Sequence, residues 1–205
     1  MKGRLVAFGC SNTYGQGLKD CWVPETRKFG PNSSEFAWPV LLAPKLNLEC
    51  VNLSYPGASN KFIWNEIVNT VFRPTDTVIV LWTYPERWCV FDTEPDMNHI
   101  GPWENTKQSK CFYSKLYSEK DANIDMNIRI NHSKLYLDNI GIKNYHLVYS
   151  REDFNQLSWN NTLVLKTYFG VYANQCPKAL DGEHPGLIAH QMYANQIYKE
   201  ITGMI

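Results

Sequence analysis

The sequence predicts an α/β protein, with a mainly parallel sheet of about five strands covered by helices on both faces. Three observations lead there. Short apolar runs alternate with helical periods along the chain, the pattern of units in which a helix carries the chain back to begin a parallel neighbour. One run, Val78-Ile79-Val80-Leu81-Trp82, is apolar throughout, as a central strand buried on both faces requires. The length, 205 residues, suits a single domain over residues 1–205. Such a domain buries roughly 70% of the surface its extended chain exposes, so a full core forms without disulfides or a structural metal.

Taken in order, Leu5-Val6-Ala7-Phe8 is the first strand and ends at Gly9. Trp38, Leu41, Leu42 and Leu46 share a helical stripe that Pro44 shortens or kinks. Val51, Leu53 and Tyr55 alternate as a second strand running into Pro56-Gly57, and Ile63, Ile67 and Val71 mark the helix before the third strand, Val78 to Trp82. Residues 84–115 mix Trp88, Phe91, Trp103, Phe112 and Tyr113 with Pro, Asp and Asn and show no period. They read as an insertion or lid over the sheet. His146-Leu147-Val148-Tyr149 is the fourth strand candidate and Leu163-Val164-Leu165 a shorter fifth. Leu187, Ala194, Ile197 and Ile201 line one face of the last helix, where His190 reads as a packed core residue.

Composition removes several function classes. Lys+Arg and Asp+Glu are 20 each and the isoelectric point is near 6.9, so no positive field exists to hold nucleic acid or an anionic membrane. The six cysteines are scattered, with neither a C-x-x-C pair nor a Cys/His cluster at zinc spacing, and read as reduced thiols rather than metal ligands. The apolar run near the N-terminus covers only Leu5 to Phe8, too short for a signal peptide, and none approaches the roughly 20 residues of a membrane span. The expectation is a cytoplasmic protein. An aromatic content of 14%, with seven Trp and twelve Tyr, beside a mean hydropathy of -0.37, suits half-buried rings in a sugar- or small-ligand-facing cleft.

In open α/β sheets ligands bind beyond the carboxyl ends of the strands. Those ends carry Gly9-Cys10-Ser11-Asn12-Thr13, Pro56-Gly57-Ala58-Ser59-Asn60 and Trp82-Thr83-Tyr84-Pro85, while Asp181-Gly182-Glu183-His184-Pro185 precedes the last helix. A hydrolase needs a nucleophile, a base, a carboxylate to orient the base, and donors for the oxyanion. Ser11 on its Gly-flanked turn is the candidate nucleophile and His184 the base. Asp181, three residues earlier, can fold back onto the imidazole. Each has a plainer use: Ser11 as a turn or cap residue, His184 as a solvated loop residue, Asp181 as an Asx-turn former. The constellation of all three carries the claim.

These blocks resemble those of the SGNH, or GDSL, hydrolases. Gly9-Cys10-Ser11 is similar to the Gly-Asp-Ser block, with Cys10 where Asp is usual; Gly57 resembles the second-block glycine whose amide helps bind the oxyanion. Asp181-x-x-His184 is similar to the final block of the triad. The resemblance implies a three-layer flavodoxin-like fold and ester hydrolysis through an acyl-enzyme, without a cofactor. The family's third block, Gly-x-Asn-Asp, is missing: the third strand runs into Trp82-Thr83-Tyr84-Pro85-Glu86-Arg87. Asn60 or the Thr83 hydroxyl replaces its donor, or only backbone donors remain, and Asn60 is the preferred substitute although it is equally placed to cap the helix that follows. Gly57-Ala58-Ser59-Asn60 and the Trp82-Thr83 to Arg87 segment are similar to segments of phage-encoded members, which implies a host cytoplasm. Arg87 is placed to bind a substrate carboxylate or phosphate, although a structural ion pair is the commoner use. The expected substrate is a small-molecule or carbohydrate ester, an acetyl ester by preference. A binding module on a degenerate hydrolase scaffold and an acyltransferase are the rival readings.

Overall fold

The computed structural model describes residues 2–91, 98–150 and 165–204. Its centre is a four-stranded sheet in which strand β4 (Glu49–Asn52) flanks β1 (Arg4–Phe8), followed by β5 (Thr77–Leu81) and β8 (Lys143–Leu147), while β2 (Trp22–Val23) and β3 (Lys28–Phe29) form a separate antiparallel pair. All three pairings are parallel. The predicted parallel α/β class is therefore the fold, with four strands in the described sheet rather than about five. Of the expected fifth strand, Leu163 and Val164 lie outside the described residues. Leu165 is described, and its amide donates to His146 O at 3.2 Å.

Successive side chains of a strand point to opposite faces, and the two cores follow that alternation. On one face Val6, Phe8, Val78 and Val80 pack with Ile63 and Ile67 of helix α3 (Asn60–Asn69) and with Met126 and Ile130 of α5 (Glu119–Asn139). On the other, Leu5, Ala7, Ile79 and Leu81 meet Trp38 and Leu42 of α2 (Trp38–Leu42), Phe169 of α6 (Phe169–Gln175), and Tyr193 and Ile197 of α7 (Leu187–Thr202). The α2 stripe breaks where Pro44 intervenes, and the chain continues as a 3-10 turn over Ala43–Leu46. Helix α3 ends at Asn69, so Val71, expected on its buried stripe, is 88% exposed.

The segment read as an insertion, residues 84–115, holds the antiparallel hairpin of β6 (Trp88–Val90) and β7 (Asn98–Ile100) and the helix α4 (Lys107–Lys115). Its rings largely pack on each other: Trp88 stacks with Phe112 at 5.8 Å. The Tyr113 hydroxyl reaches Glu86 O at 2.6 Å and Ile100 O at 3.0 Å, tying α4 to the hairpin. Among the described residues no helix is long and apolar enough to cross a membrane.

Candidate active site

The chain leaves β1 through Gly9, where a β-carbon would overlap the Thr13 side chain, and enters helix α1 (Ser11–Tyr14). Ser11 is the first residue of that helix, so its amide has no partner within the helix. The carbonyl of Cys10 takes the amides of Thr13 and Tyr14 at 2.9 and 3.0 Å, and Gly15 ends the turn in the left-handed region with φ 80°. Asn52 at the end of β4 fixes this turn from below: its Nδ2 donates to Thr13 O at 2.9 Å while its Oδ1 accepts from Ser54. The positioning role of Asn52 is invisible in the sequence, where nothing distinguishes it from other strand-end amides.

Gly57 occupies the turn after β4 with φ 77°, a conformation strained for any residue with a side chain. The helix that follows is capped by Ser59, whose hydroxyl accepts from Phe62 N at 3.2 Å, and not by Asn60. Asn60 does something else. Its Nδ2 donates to Thr83 O at 3.0 Å and its Oδ1 accepts from Thr83 N at 2.9 Å, so both ends of the carboxamide hold the backbone just after β5. The Thr83 hydroxyl is buried without a hydrogen-bond partner among the described residues.

The Asp181–His184 loop is closed by two amides, Ala179 N to His184 O at 2.8 Å and Gly182 N to Ala179 O at 3.0 Å, with Gly182 at φ 76°. Leu180 N donates to Gly17 O at 2.9 Å and docks the loop beside α1. Within the loop His184 Nδ1 lies 2.6 Å from Asp181 Oδ2. A carboxylate only accepts, so Nδ1 carries the proton and Nε2 is left able to accept one. Asp181 Oδ1 accepts the amides of Glu183 and His184, each at 3.0 Å. Burial works against ionisation of Asp181, but these two amides and the His184 ring outweigh it and hold its pKa below the usual carboxylate range.

Ser11, Gly57 and His184 line one cleft of about 410 Å³, together with Arg87, Gln16 and Phe29. Asn60 and Thr83 do not line it. Ser11 Oγ forms no hydrogen bond to His184 among the described residues, a contact that commonly tightens only with substrate in place. Arg87 departs from the structural ion pair expected of it: no carboxylate stands within 4.0 Å of its guanidinium among the described residues, which instead lies over the rings of Tyr84 at 5.0 Å and Trp103 at 4.8 Å. The cleft also includes His99, Trp103, Glu104 and Glu183. The first three arrive with the insertion and carry no local signal in the sequence. His146 and His190 are fully enclosed, the first between Trp82 Nε1 and Asn144 Oδ1, the second accepting from Trp38 N.

No protein-family model matches the sequence, and no curated protein matches it. Solved structures do. A lipolytic protein of the G-D-S-L family from Desulfitobacterium hafniense is 12% identical with a TM-score of 0.59, over 96% of this chain and 98% of its own. The fold is that of the SGNH/GDSL hydrolases. A second G-D-S-L lipolytic family member, from Veillonella parvula, is 14% identical with a TM-score of 0.58 over 98% of both chains. An acetyl xylan esterase from Butyrivibrio proteoclasticus is 13% identical with a TM-score of 0.56, covering 98% of this chain and 65% of the esterase. The Ser11 and Gly57 turns follow β1 and β4, and the Asp181–His184 loop docks beside α1.

Proposed function

We propose that the protein is a serine ester hydrolase of the SGNH type. The observation that supports it best is the Asp181–His184 pair at 2.6 Å, opening on the same cleft as Ser11 and Gly57. Ser11 Oγ attacks the ester carbonyl while His184 Nε2 takes its proton, and Asp181, held ionised by its amide bonds, stabilises the imidazolium. The tetrahedral oxyanion is met by the amides of Ser11 and Gly57. Collapse breaks the bond to the alcohol, which leaves with the proton from Nε2. Water then attacks the acyl-Ser11 ester, His184 again removes the proton, and the acid departs with Ser11 restored. The route needs no cofactor.

Asn60, whose carboxamide is engaged with Thr83, acts in this reading as a positioning residue rather than as the missing third-block donor. The substrate we favour is an acetyl ester on a carbohydrate. Aromatic faces at Phe29 and Trp103 beside the polar Gln16, Glu104 and Glu183 suit a sugar better than a long acyl chain. Residues 84–115 then act as a lid over a single domain.

A fluorophosphonate probe and p-nitrophenyl acetate test the reading. Wild-type protein should be labelled and should release nitrophenol, and Ser11→Ala should do neither. Equal labelling of the two proteins, with no hydrolysis by either, would establish instead a binding module on a hydrolase scaffold, a reading favoured by the reduced set of oxyanion donors. Acyl products formed only when an acceptor alcohol is present would make the enzyme a transferase.

A further inference from the structure

The segment after β5 gives the cleft two polar side chains that the triad chemistry leaves unused. Arg87 is one. Its Nε and Nη1 are buried and have no hydrogen-bond partner among the described residues, while Tyr84 and Trp103 hold the plane of the guanidinium without answering its N–H groups. His99 on β7 is the other. Both of its ring nitrogens are buried without a partner among the described residues, and the ring stacks on Tyr55 at 5.6 Å. It also stands over the Gly57 turn, where a β-carbon would lie 3.9 Å from its Cγ.

Leaving a buried donor unanswered forfeits the hydration it had in water with nothing in return, and the penalty grows when the donor is charged. A guanidinium cannot escape that cost by giving up its proton. Burial, and then the charge of Arg87, lower the pKa of His99 and keep it neutral, able to donate from one nitrogen and accept at the other. Glu104 and Glu183 share the cleft, yet neither pairs with Arg87 among the described residues. Among those residues Arg87 is the only Arg or Lys lining it. The carboxylates repel an anion from the rest of the wall, which leaves the Arg87 corner as the place where one can settle.

We propose that Arg87, together with His99, recognises an oxyanion carried on the alcohol portion of the ester, so that the substrate is an O-acylated acidic sugar. This rests on the esterase reading of the same cleft. A carboxylate and a phosphate share the chemistry that a guanidinium and an imidazole N–H recognise.

The test compares kcat/KM for mono-O-acetyl glucuronic acid, its neutral methyl ester, mono-O-acetyl glucose 6-phosphate and mono-O-acetyl glucose. Wild type should favour a charged over the matching neutral ester by about tenfold or more, and the preferred pair identifies carboxylate or phosphate. That ratio should fall to near one in Arg87→Gln and stay intermediate in Arg87→Lys, which keeps the charge but loses the planar fork. Because each ratio is internal to one protein, a general loss of folding does not mimic the effect. Hydrolysis of all four esters at equal rates by wild type overturns the subsite and leaves the esterase standing. In parallel, calorimetry follows glucuronate and glucose 6-phosphate binding to Ser11→Ala protein with and without Arg87→Gln. Arg87-dependent binding, where the wild-type protein cleaves none of the four esters, keeps the subsite and removes the esterase reading; equal or absent binding in both Ser11→Ala proteins overturns the subsite.

Discussion

Gly17 faces the Asp181 carboxylate so closely that a β-carbon on it would lie 2.5 Å from Oδ2. Its φ of 86° adds a second reason for glycine. Gly17→Ala should therefore push the carboxylate off the His184 ring. We expect kcat to fall by about 10- to 100-fold, because sub-ångström displacement of an orienting group is costly, with a stability loss of about 1–3 kcal/mol. Steady-state kinetics beside urea melts check this, and an unchanged kcat would show that the Asp181 position is irrelevant to turnover.

Asp181→Asn keeps the size of the side chain but replaces one acceptor oxygen with a donor, so the His184 ring loses the partner that fixes its tautomer. Activity should drop by roughly 10³- to 10⁴-fold with little change in KM. Single-turnover assays with p-nitrophenyl acetate measure it. Retention of more than a tenth of wild-type kcat contradicts the triad assignment.

Asn60→Ala removes both hydrogen bonds to the Thr83 backbone and leaves a buried N–H and C=O without partners. The expected loss is about 2–4 kcal/mol of unfolding free energy. Asn60→Asp keeps the bond from Thr83 N but sets a buried carboxylate oxygen against the Thr83 carbonyl oxygen, so it should lose at least as much. Urea denaturation ranks the three proteins, and equal stability of Asn60→Ala and wild type would remove the cross-link from the account.

Burial holds both His146 and His190 to about 3, whereas an unfolded chain protonates histidine near 6.5. In the interval between, the unfolded state binds more protons, so stability is highest above about pH 6.5 and falls as the pH drops toward 3. Each ring contributes about 2 kcal/mol of loss between pH 7 and 5, or about 4 kcal/mol together. Asp181, with its lowered pKa, adds its own loss only in the more acid range where carboxylates protonate. Denaturant melts at pH 7 and pH 5 decide the matter, and identical unfolding free energies would be inconsistent with buried neutral rings.

Why some of this was legible in the sequence and some was not has a physical basis. Ser11, Gly57, Asp181 and His184 could be singled out because each candidate role tolerates few residue types and the fold puts such residues at strand ends, and the structure brings Ser11, Gly57 and His184 to one cleft. The bonds of Asn60 to the Thr83 backbone are not legible in the sequence, because one carboxamide can cap a helix, serve an oxyanion or cross-link a neighbour. Helix α5 escapes the periodicity argument because Ile124, Ile128 and Leu135 are exposed opposite the buried Ala122, Met126, Ile130 and Leu137, which flattens the contrast between its faces. His99 reaches the cleft on the second strand of the β6–β7 hairpin, and no local spacing announces that.

The bond from Leu180 N to Gly17 O also sets an order of events. Ser11 emerges from the ribosome with the first strand, well before the loop that carries His184, the base proposed for it. The contact that joins them closes one of the longest loops in the chain, a step that pays its entropy before it gains any bond. A nascent chain with most of its sheet already formed still holds an unactivated serine, and the acyl-transfer chemistry proposed for this cleft switches on only when the segment ahead of α7 docks.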